Sequence, residues 1–290
     1  MTDATNHYAG PLLTRDMLDA MRAALAAGET TWEGSFDLGC SRDTVAIAEN
    51  AWRWRGTNFA WPQNLKERTI HFHDGAGFVA AQRYATSLIK LVPTPWGAPT
   101  FEIDGIKMLP TAQTSPYADA QRKVALVAPR GKQVLDTCGG LGYFARACLE
   151  DGVAGIVSFE KNADVLWLRT LNPWSPDPAS AQANGRLRLE HADVSARIAA
   201  LPAESFDAIL HDPPRFGIAG ELYSQAFYDE LARVLRPRGR LFHYVGTPNR
   251  KTSGRDVPGE VMRRLAKAGF KVERVLDGVF GSKETSQRRR

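Results

Sequence analysis

The chain has 290 residues, of which 43% are apolar and 24% are charged, a composition typical of globular proteins. A chain of this length buries a substantial core without disulfides or metals, so global disorder, collagen-like repeats and a small disulfide scaffold are excluded. No stretch approaches the roughly 20 apolar residues that cross a bilayer. The N-terminus also lacks the basic and apolar segments of a secretory signal. We therefore expect a soluble, cytoplasmic protein.

The charge and the cysteines indicate no particular partner. The net charge of +5 includes the terminal arginines 288–290, and without them it falls to +2. The body of the chain is thus only mildly basic, which is a weak argument for nucleic acid. Cys40, Cys138 and Cys148 are odd in number and widely spaced, a pattern that predicts neither a disulfide framework nor a zinc site.

Residues 1–110 are predicted to form a helix followed by a small β-rich domain. Apolar residues recur at helical spacing over residues 13–27, and Gly28 marks the end of that helix. Beyond it, short runs are separated by Gly, Pro, Asn and Asp, which favours antiparallel strands joined by turns. The clearest strands are Thr44–Ala48, Thr69–Phe72, Ser87–Leu91 and Thr100–Ile103.

Aromatic side chains are concentrated in this N-terminal domain, where they favour a β core over the alternative of a substrate cleft. They are Trp52, Trp54, Phe59, Trp61 and Trp96. His71 and His73 would share one face of a strand, but Asp74 is the only obvious further ligand. We therefore expect no metal site here.

Residues 111–290 alternate between strands and helices. The predicted strands are Gln133–Asp136, Gly155–Glu160, Arg186–His191, Phe206–His211 and Arg240–Val245, followed by a hairpin of Phe270–Leu276 and Val279–Lys283. The predicted helices run from Ser115-Pro116 to Val127, over Tyr143–Glu150, from near Asn162, over Tyr223–Leu235 and over Pro258–Ala268. This alternation predicts an α/β domain with a mostly parallel, doubly wound sheet.

In such a sheet the ligand site lies beyond the carboxyl ends of the strands. Asp136 ends the first strand and is followed by a glycine-rich turn, in which the backbone can approach a ligand closely. Glu160 ends the next strand, 24 residues later, where a carboxylate can accept both hydroxyls of a ribose. Asp193, just after the third strand, is either a ligand acceptor or a helix cap.

The residues that follow the fourth strand give the strongest indication of catalytic chemistry in the sequence. Pro213 and Pro214 fix their backbone and remove two hydrogen-bond donors, which leaves the carbonyls and the Asp212 carboxylate as rigid acceptors. Such acceptors can orient an amine nucleophile. Arg215 could pair with a carboxylate or phosphate of the substrate.

The combination resembles the class I S-adenosylmethionine-dependent methyltransferases over residues 111–276. The matching runs are VLDTCGGLGYF, FEK, HADV, FDAILHDPPRF and LARVLRPRGRLF. The longer run HDPPRFGIAGELYSQAFYDELARVLRPRGRLFHYVG, together with LDTCGGLGY, is similar to a group of methyltransferases found mainly in archaea. The resemblance implies a Rossmann-like methyltransferase sheet over residues 111–290, with residues 1–110 as a smaller β-rich cap or substrate domain.

The resemblance also implies roles by position. Asp136, Gly139, Gly140 and Gly142 would lie against the methionine part of S-adenosyl-L-methionine, Glu160 would bind its ribose and Asp193 its adenine. His211 and Asp212 would face the reacting sulfonium, which makes them candidate catalytic residues with Arg215 and Tyr143. Tyr223, His243 and Tyr244 are secondary candidates, and His243 is expected to be a packed histidine instead.

Two departures from the family pattern are present. Cys138 replaces the usual first glycine of the turn. Arg215 stands where relatives that methylate bases often carry a stacking aromatic residue, which favours a small-molecule acceptor over nucleic acid.

The leading hypothesis is therefore methyl transfer to a nitrogen of a small molecule, with Asp212 orienting the nucleophile. Two alternatives remain. One is attack on the γ-carbon of S-adenosylmethionine with release of methylthioadenosine, as in aminopropyltransferases or in cyclisation to azetidine-2-carboxylate. The other is an RNA-binding protein with a methyltransferase fold.

Overall fold

The computed structural model describes residues 8–246 and 256–284, so the arginines at 288–290 lie outside the described residues. The chain divides into two compact units. The first consists of Met1–Asp119 with Asp164–Ser175, and the second of Ala120–Ala163 with Pro176–Arg290. The sequence places one boundary after residue 110, whereas this division also assigns Asp164–Ser175 to the first unit. Hydrogen bonds anchor that segment there, from Tyr8 N to Thr170 O at 2.8 Å and from Trp174 Nε1 to Leu38 O at 2.9 Å.

The first unit is built from short antiparallel strands. They are β1 (Leu12–Leu13), β2 (Thr31–Gly34), β3 (Asp43–Ile47), β4 (Ala51–Trp54), β5 (Thr57–Ala60), β6 (His71–His73), β7 (Phe78–Ala80), β8 (Gln82–Tyr84), β9 (Leu88–Val92), β10 (Thr100–Ile103) and β11 (Ile106–Lys107). They form three sheets, ordered β1-β6-β7, β2-β3-β4-β5 and β11-β10-β9-β8. The predicted β-rich character of this region is confirmed.

The first helix, α1 (Arg15–Ala26), begins at a side-chain cap. Thr14 Oγ1 accepts a hydrogen bond from Met17 N at 3.3 Å, which satisfies one of the amides exposed at a helix start. Leu18 and Met21 are buried along one face of α1, so the predicted amphipathic helix is confirmed.

Most of the aromatic residues form the core of this unit. Trp52, Trp54 and Phe59 are buried, and Trp52 stacks on both Phe36 and Phe59 with ring centroids 5.2 and 4.8 Å apart. Such pairs stabilise a core beyond their buried area. Trp96 differs, because 46% of it is exposed.

The two histidines of β6 have partners inside the protein. His71 Nε2 accepts a hydrogen bond from Lys66 N at 3.1 Å. The His73 ring packs edge-on against Phe59 and Phe78, with centroids 5.2 Å apart in each pair. Across residues 8–246 and 256–284, no group of three or more His, Cys, Asp or Glu is arranged to hold a metal ion.

The second unit carries the alternating elements. Its strands are β12 (Gln133–Asp136), β13 (Gly155–Glu160), β14 (Leu187–His191), β15 (Phe206–His211), β16 (Leu235–Tyr244), β17 (Phe270–Val275) and β18 (Gly278–Lys283). Over the residues that the structure describes, the other helices are α2 (Pro116–Val127), α3 (Tyr143–Glu150), α4 (Ala163–Leu171), α5 (Val194–Arg197), α6 (Gln225–Val234) and α7 (Val257–Lys267), with 3-10 turns at Ile198–Ala200 and Gly220–Tyr223. None of the helices in the described ranges is long and apolar enough to span a membrane.

The seven strands described in the second unit form one sheet, in the order β14-β13-β12-β15-β16-β18-β17. The first five are parallel to their neighbours, and β18 runs antiparallel between β16 and β17. The order reverses between β12 and β15, which is where a doubly wound sheet opens its ligand crevice. The predicted doubly wound α/β fold is confirmed.

The fifth strand of this sheet is longer than predicted. β16 begins at Leu235, which pairs with Phe206, and the register then shifts before Ala208 pairs with Arg240. The predicted helix Tyr223–Leu235 and the predicted strand Arg240–Val245 left residues 236–239 outside the sheet. Instead the chain passes through an irregularity, with Arg238 at a φ of 65°, and such bulges are the places where a sheet tolerates proline.

Candidate active site

Acidic residues meet at one edge of the main sheet. Asp136 and Glu160 end the neighbouring parallel strands β12 and β13, and His211 ends β15 on the other side of β12. Burial raises the pKa of the Cys138 thiol well above its usual value, and the nearby charges of Glu160, Asp136 and Asp212 raise it further. Three of the predicted carboxylates therefore lie near Cys138, the residue that replaces the first glycine of the turn.

The glycine-rich turn is held by backbone hydrogen bonds to β13. Gly139 N donates to Phe159 O at 2.7 Å, and Gly140 N donates to Glu160 Oε2 at 2.9 Å. Gly142 caps α3 with a φ of 82°, a conformation that glycine adopts without strain. The turn thus presents backbone close to the ends of β12 and β13.

Asp136 is fully buried at the end of β12. Its Oδ2 accepts a hydrogen bond from the buried Ser158 hydroxyl at 2.7 Å. Sequence analysis missed Ser158, although it is the only polar residue between Gly155 and Glu160 in an otherwise apolar run. Ser158 fixes the orientation of the Asp136 carboxylate from the neighbouring strand.

Both oxygens of Glu160 accept backbone hydrogen bonds. Oε2 takes the bond from Gly140, and Oε1 accepts from Asn162 N at 2.8 Å. A carboxylate oxygen has two lone pairs, so one backbone bond does not exhaust its capacity to accept. Two fixed oxygens side by side fit the adjacent hydroxyls of a ribose.

Asp193 caps α5, in agreement with the cap interpretation of its position. Its Oδ1 accepts from both Ser195 N and Ser195 Oγ, at 2.9 and 2.7 Å, and Lys161 Nζ lies 3.7 Å from Oδ2. Partial burial raises the pKa of Asp193, but the Ser195 bonds and Lys161 outweigh it and lower that pKa below the usual value. Asp193 is therefore anionic at neutral pH, and the cap leaves a negative charge beside β14.

His211 lies inside the protein and is not at the surface of the crevice. It is fully buried, with Nδ1 2.7 Å from Thr137 Oγ1 and Nε2 3.1 Å from Leu222 O. A carbonyl oxygen can only accept a hydrogen bond, so we assign the His211 proton to Nε2, which donates to Leu222 O. The Thr137 hydroxyl then donates to Nδ1. Burial lowers the pKa of His211 to about 4, despite the opposing effect of the Leu222 bond. This geometry gives His211 a linking role between the glycine-rich turn and the segment after β15.

The segment after β15 carries the other candidates. Asp212 is half-buried and Arg215 is exposed. Tyr143, on another element, is buried at the first position of α3. The Tyr223 hydroxyl donates to Pro214 O at 3.0 Å, a bond that the sequence did not predict. Asp212 and Arg215 are thus the accessible members of the predicted set on this segment.

His243 is a packed residue, as expected. It is fully buried, with Nε2 2.8 Å from the Tyr228 hydroxyl and Nδ1 2.7 Å from Tyr244 O. Its ring meets the His211 ring edge-on, with centroids 4.4 Å apart. Burial and the nearby His211 hold the pKa of His243 well below its usual value, so both imidazoles are neutral at physiological pH.

The carboxylates of this edge fit S-adenosylmethionine. That molecule carries a sulfonium, an amino group, two ribose hydroxyls and an adenine amine, all of which an acidic crevice can bind. Asp136, Glu160 and Asp193 would hold it, and its sulfonium supplies a methyl carbon that needs no further activation.

Comparison with known proteins agrees with this fit. A family model described as S-adenosyl-L-methionine-dependent methyltransferase matches residues 158–286. An uncharacterized protein of Methanocaldococcus jannaschii, MJ1233, is 46% identical over 216 residues, which cover 73% of this chain and 72% of that protein. Polyamine aminopropyltransferase 2 of Streptomyces coelicolor is 31% identical over 148 residues, covering 50% of this chain and 26% of the relative.

The fold is also that of a solved structure. A spermidine synthase in complex with the transition-state analogue AdoDATO superposes with a TM-score of 0.56 at 17% identity, covering 70% of this chain and 72% of the other. This likeness shows the fold, and the match to MJ1233 together with the family model shows the family. The chain belongs to the class I S-adenosylmethionine-dependent methyltransferase superfamily and is an S-adenosylmethionine-dependent transferase.

Proposed function

We propose that this protein transfers the methyl group of S-adenosylmethionine to a nitrogen of a small-molecule acceptor, with Asp212 orienting that nitrogen. The observation that carries the proposal is the position of Asp212. Asp212 directly follows β15, and the glycine-rich turn directly follows the neighbouring strand β12. The strand order reverses between these two strands, which is where such a sheet binds its ligand. Two prolines fix the backbone after Asp212.

The reaction requires little from the protein beyond alignment of the methyl donor with the acceptor nitrogen. The nitrogen lone pair forms a bond to the methyl carbon, the carbon–sulfur bond breaks, and its electrons stay on sulfur to give S-adenosylhomocysteine. Asp212 accepts a hydrogen bond from the nitrogen, which aims the lone pair at the methyl group and provides a destination for the released proton. Holding donor and acceptor in line can supply about 7–11 kcal/mol of the barrier reduction.

The remaining polar groups would each bind a different part of the cofactor or the acceptor. Glu160 and Asp193 would hold the ribose and adenine, and Asp136 with the glycine-rich turn would hold the methionine part. Arg215 is exposed, and its guanidinium suits a carboxylate or phosphate on the acceptor.

Product analysis tests the proposal. The protein is incubated with S-adenosylmethionine, with and without a small-molecule cell extract, and the products are identified by mass spectrometry. Methyl transfer predicts S-adenosylhomocysteine only when extract is present. Asp212→Ala should lose turnover while its affinity for S-adenosylmethionine stays within about threefold. Turnover at the wild-type rate in that variant would contradict the role of Asp212.

A second candidate is attack on the γ-carbon of the methionine part. It is favoured by the 31% identity to a polyamine aminopropyltransferase and by the fold shared with spermidine synthase. A nucleophile would then bond to the γ-carbon and the adjacent carbon–sulfur bond would break, giving methylthioadenosine. Methylthioadenosine formed without extract would identify cyclisation of S-adenosylmethionine itself, and methylthioadenosine formed only with extract would identify transfer to a second molecule.

A further inference from the structure

Residues 212–216, which follow β15 and are called the Asp212 segment here, are held by a side-chain hydrogen bond from later in the chain. Pro213 and Pro214 have no N–H groups, so their own backbone cannot donate to a strand ladder. The Tyr223 hydroxyl instead donates to Pro214 O at 3.0 Å, and the Tyr223 ring packs edge-on against Phe216 with centroids 5.5 Å apart. The orientation of the Asp212 segment therefore depends on where Tyr223 is fixed.

Two side chains from separate elements fix Tyr223. Arg264 of α7 donates through Nη1 to the Tyr223 carbonyl at 2.6 Å, and His211 donates to the adjacent Leu222 carbonyl at 3.1 Å. Arg264 is itself held by Glu260, one helical turn earlier, at 3.3 Å. The 3-10 turn Gly220–Tyr223 is thus held at two consecutive carbonyls.

A third link to the same turn is weaker. Lys161, next to Glu160, lies 4.0 Å from Glu221, and about half of each side chain is exposed. Exposed ion pairs of this kind contribute little to stability, whereas a hydrogen bond from a charged donor contributes more. Arg264 is the link whose loss should matter most.

We propose that Tyr223 and Arg264 are positioning residues that hold the Asp212 segment in its productive orientation, through the chain of bonds from Arg264 to Tyr223 O and from Tyr223 Oη to Pro214 O. The inference rests on the proposed function of Asp212. Neither residue needs to touch the cofactor or the acceptor. A displacement of about 1 Å at a reacting group can cost roughly a hundredfold in rate, so losing either bond should lower kcat and leave cofactor binding nearly unchanged.

The chain offers a matched control for each residue. Tyr228 is also a buried tyrosine with a hydrogen-bonded hydroxyl, but its partner is His243. Arg233 also donates to backbone carbonyls, those of Leu201 and Ile198, and also pairs with a glutamate on its own helix. Tyr228→Phe and Arg233→Met therefore remove equivalent bonds outside the Asp212 segment.

Two measurements on the full chain test the inference. Amide hydrogen exchange of residues 215–222 should speed up at least about tenfold in Tyr223→Phe and Arg264→Met but not in the two controls. In the product assay with S-adenosylmethionine and extract, Tyr223→Phe and Arg264→Met should lose about tenfold to a hundredfold in kcat, with the Kd for S-adenosylmethionine changed less than threefold. Arg264→Lys, which keeps a positively charged hydrogen-bond donor, should recover part of that rate.

The outcomes separate the two proposals. Unchanged exchange in Tyr223→Phe and Arg264→Met, or equal rate losses in the controls, would overturn the positioning role. Faster exchange in Tyr223→Phe and Arg264→Met, together with wild-type turnover in Asp212→Ala, would instead overturn the role of Asp212. The conclusion that Tyr223 and Arg264 fix the position of the segment would then still hold.

Discussion

Glu160 and Gly140 are joined by a hydrogen bond of 2.9 Å from the glycine amide to Oε2. The acid that ends β13 is therefore tied to the glycine-rich turn that follows β12. Its other oxygen accepts from Asn162 N. One carboxylate thus shapes the turn and supplies the acceptors expected to meet a ribose.

Glu160→Gln should weaken cofactor binding. A glutamine amide has one oxygen and one NH2 group, so in either orientation one of the two backbone N–H groups would face another donor. We expect the Kd for S-adenosylmethionine to rise at least about tenfold, equivalent to ~1.4 kcal/mol, in isothermal titration calorimetry. Glu150→Gln, which removes an acid paired with Arg146 on α3, is the control and should leave the Kd unchanged. An unaltered Kd in Glu160→Gln would contradict the ribose assignment.

Gly142→Ala should lower both stability and cofactor affinity. Gly142 has a φ of 82° at the cap of α3, and a non-glycine residue in that region is destabilised by about 1–2 kcal/mol. Gly28 is the matched control, because its φ is 87° and a Cβ there would meet no atom within 4 Å. Both variants should lower the free energy of unfolding in urea by a similar amount, but only Gly142→Ala should bind S-adenosylmethionine more weakly. Equal affinities in the two variants would show that the turn does not approach the cofactor.

Much of the second unit was predictable because its signals are local. β12, β13 and β15 match their predicted bounds of Gln133–Asp136, Gly155–Glu160 and Phe206–His211, since each is an apolar run that stops at a polar residue. The parallel alternation then places those polar residues at one edge. The sequence alone was therefore sufficient to bring Asp136 and Glu160 to neighbouring positions.

The links within the site were not predictable because their partners are distant in sequence. The bond from Arg264 to the Tyr223 carbonyl spans 41 residues, and that from Thr137 to His211 spans 74. His211 follows an apolar strand like the other strand-end residues, but its ring turns inward to two protein partners. The ring meets Thr137 and Leu222, which belong to other segments of the chain, and the hydrophobic periodicity of a single strand does not indicate such contacts.

The buried His211 should make the protein less stable in mild acid. Its pKa is about 4 in the folded protein and about 6.5 in an unfolded chain. Between pH 6.5 and 4 the unfolded state therefore binds a proton that the folded state does not. The free energy of unfolding rises with pH across this window and falls as the pH is lowered, by up to about 3 kcal/mol for this one group. Above pH 6.5 the contribution is constant.

Comparison with His211→Gln isolates this effect from carboxylates that titrate in the same range. The difference in unfolding free energy between the wild type and the variant, measured in urea at several pH values, should shrink as the pH falls from 6.5 to 4. If the difference in unfolding free energy stays constant over that range, His211 is not buried as a neutral group in the folded protein.

The ion pair between Lys123 and Asp277 should be asymmetric in its effect on stability. Lys123 Nζ lies 3.3 Å from Asp277 Oδ2, and the lysine side chain is 2% exposed while the aspartate is 30% exposed. Removing the carboxylate takes one partner away from a buried ammonium, whereas removing the ammonium leaves a carboxylate that water can reach. Loss of one partner of a buried pair costs about 3–5 kcal/mol, and the Tyr244 ring, 4.3 Å from Nζ, should offset part of that cost.

Asp277→Asn should therefore lower the free energy of unfolding more than Lys123→Met does. Urea unfolding of both single variants and the double variant measures the two costs and the coupling between them. The double variant should be more stable than Asp277→Asn alone, because the buried charge has been removed with its partner. A larger loss in Lys123→Met than in Asp277→Asn would show that burial of the ammonium does not dominate this pair.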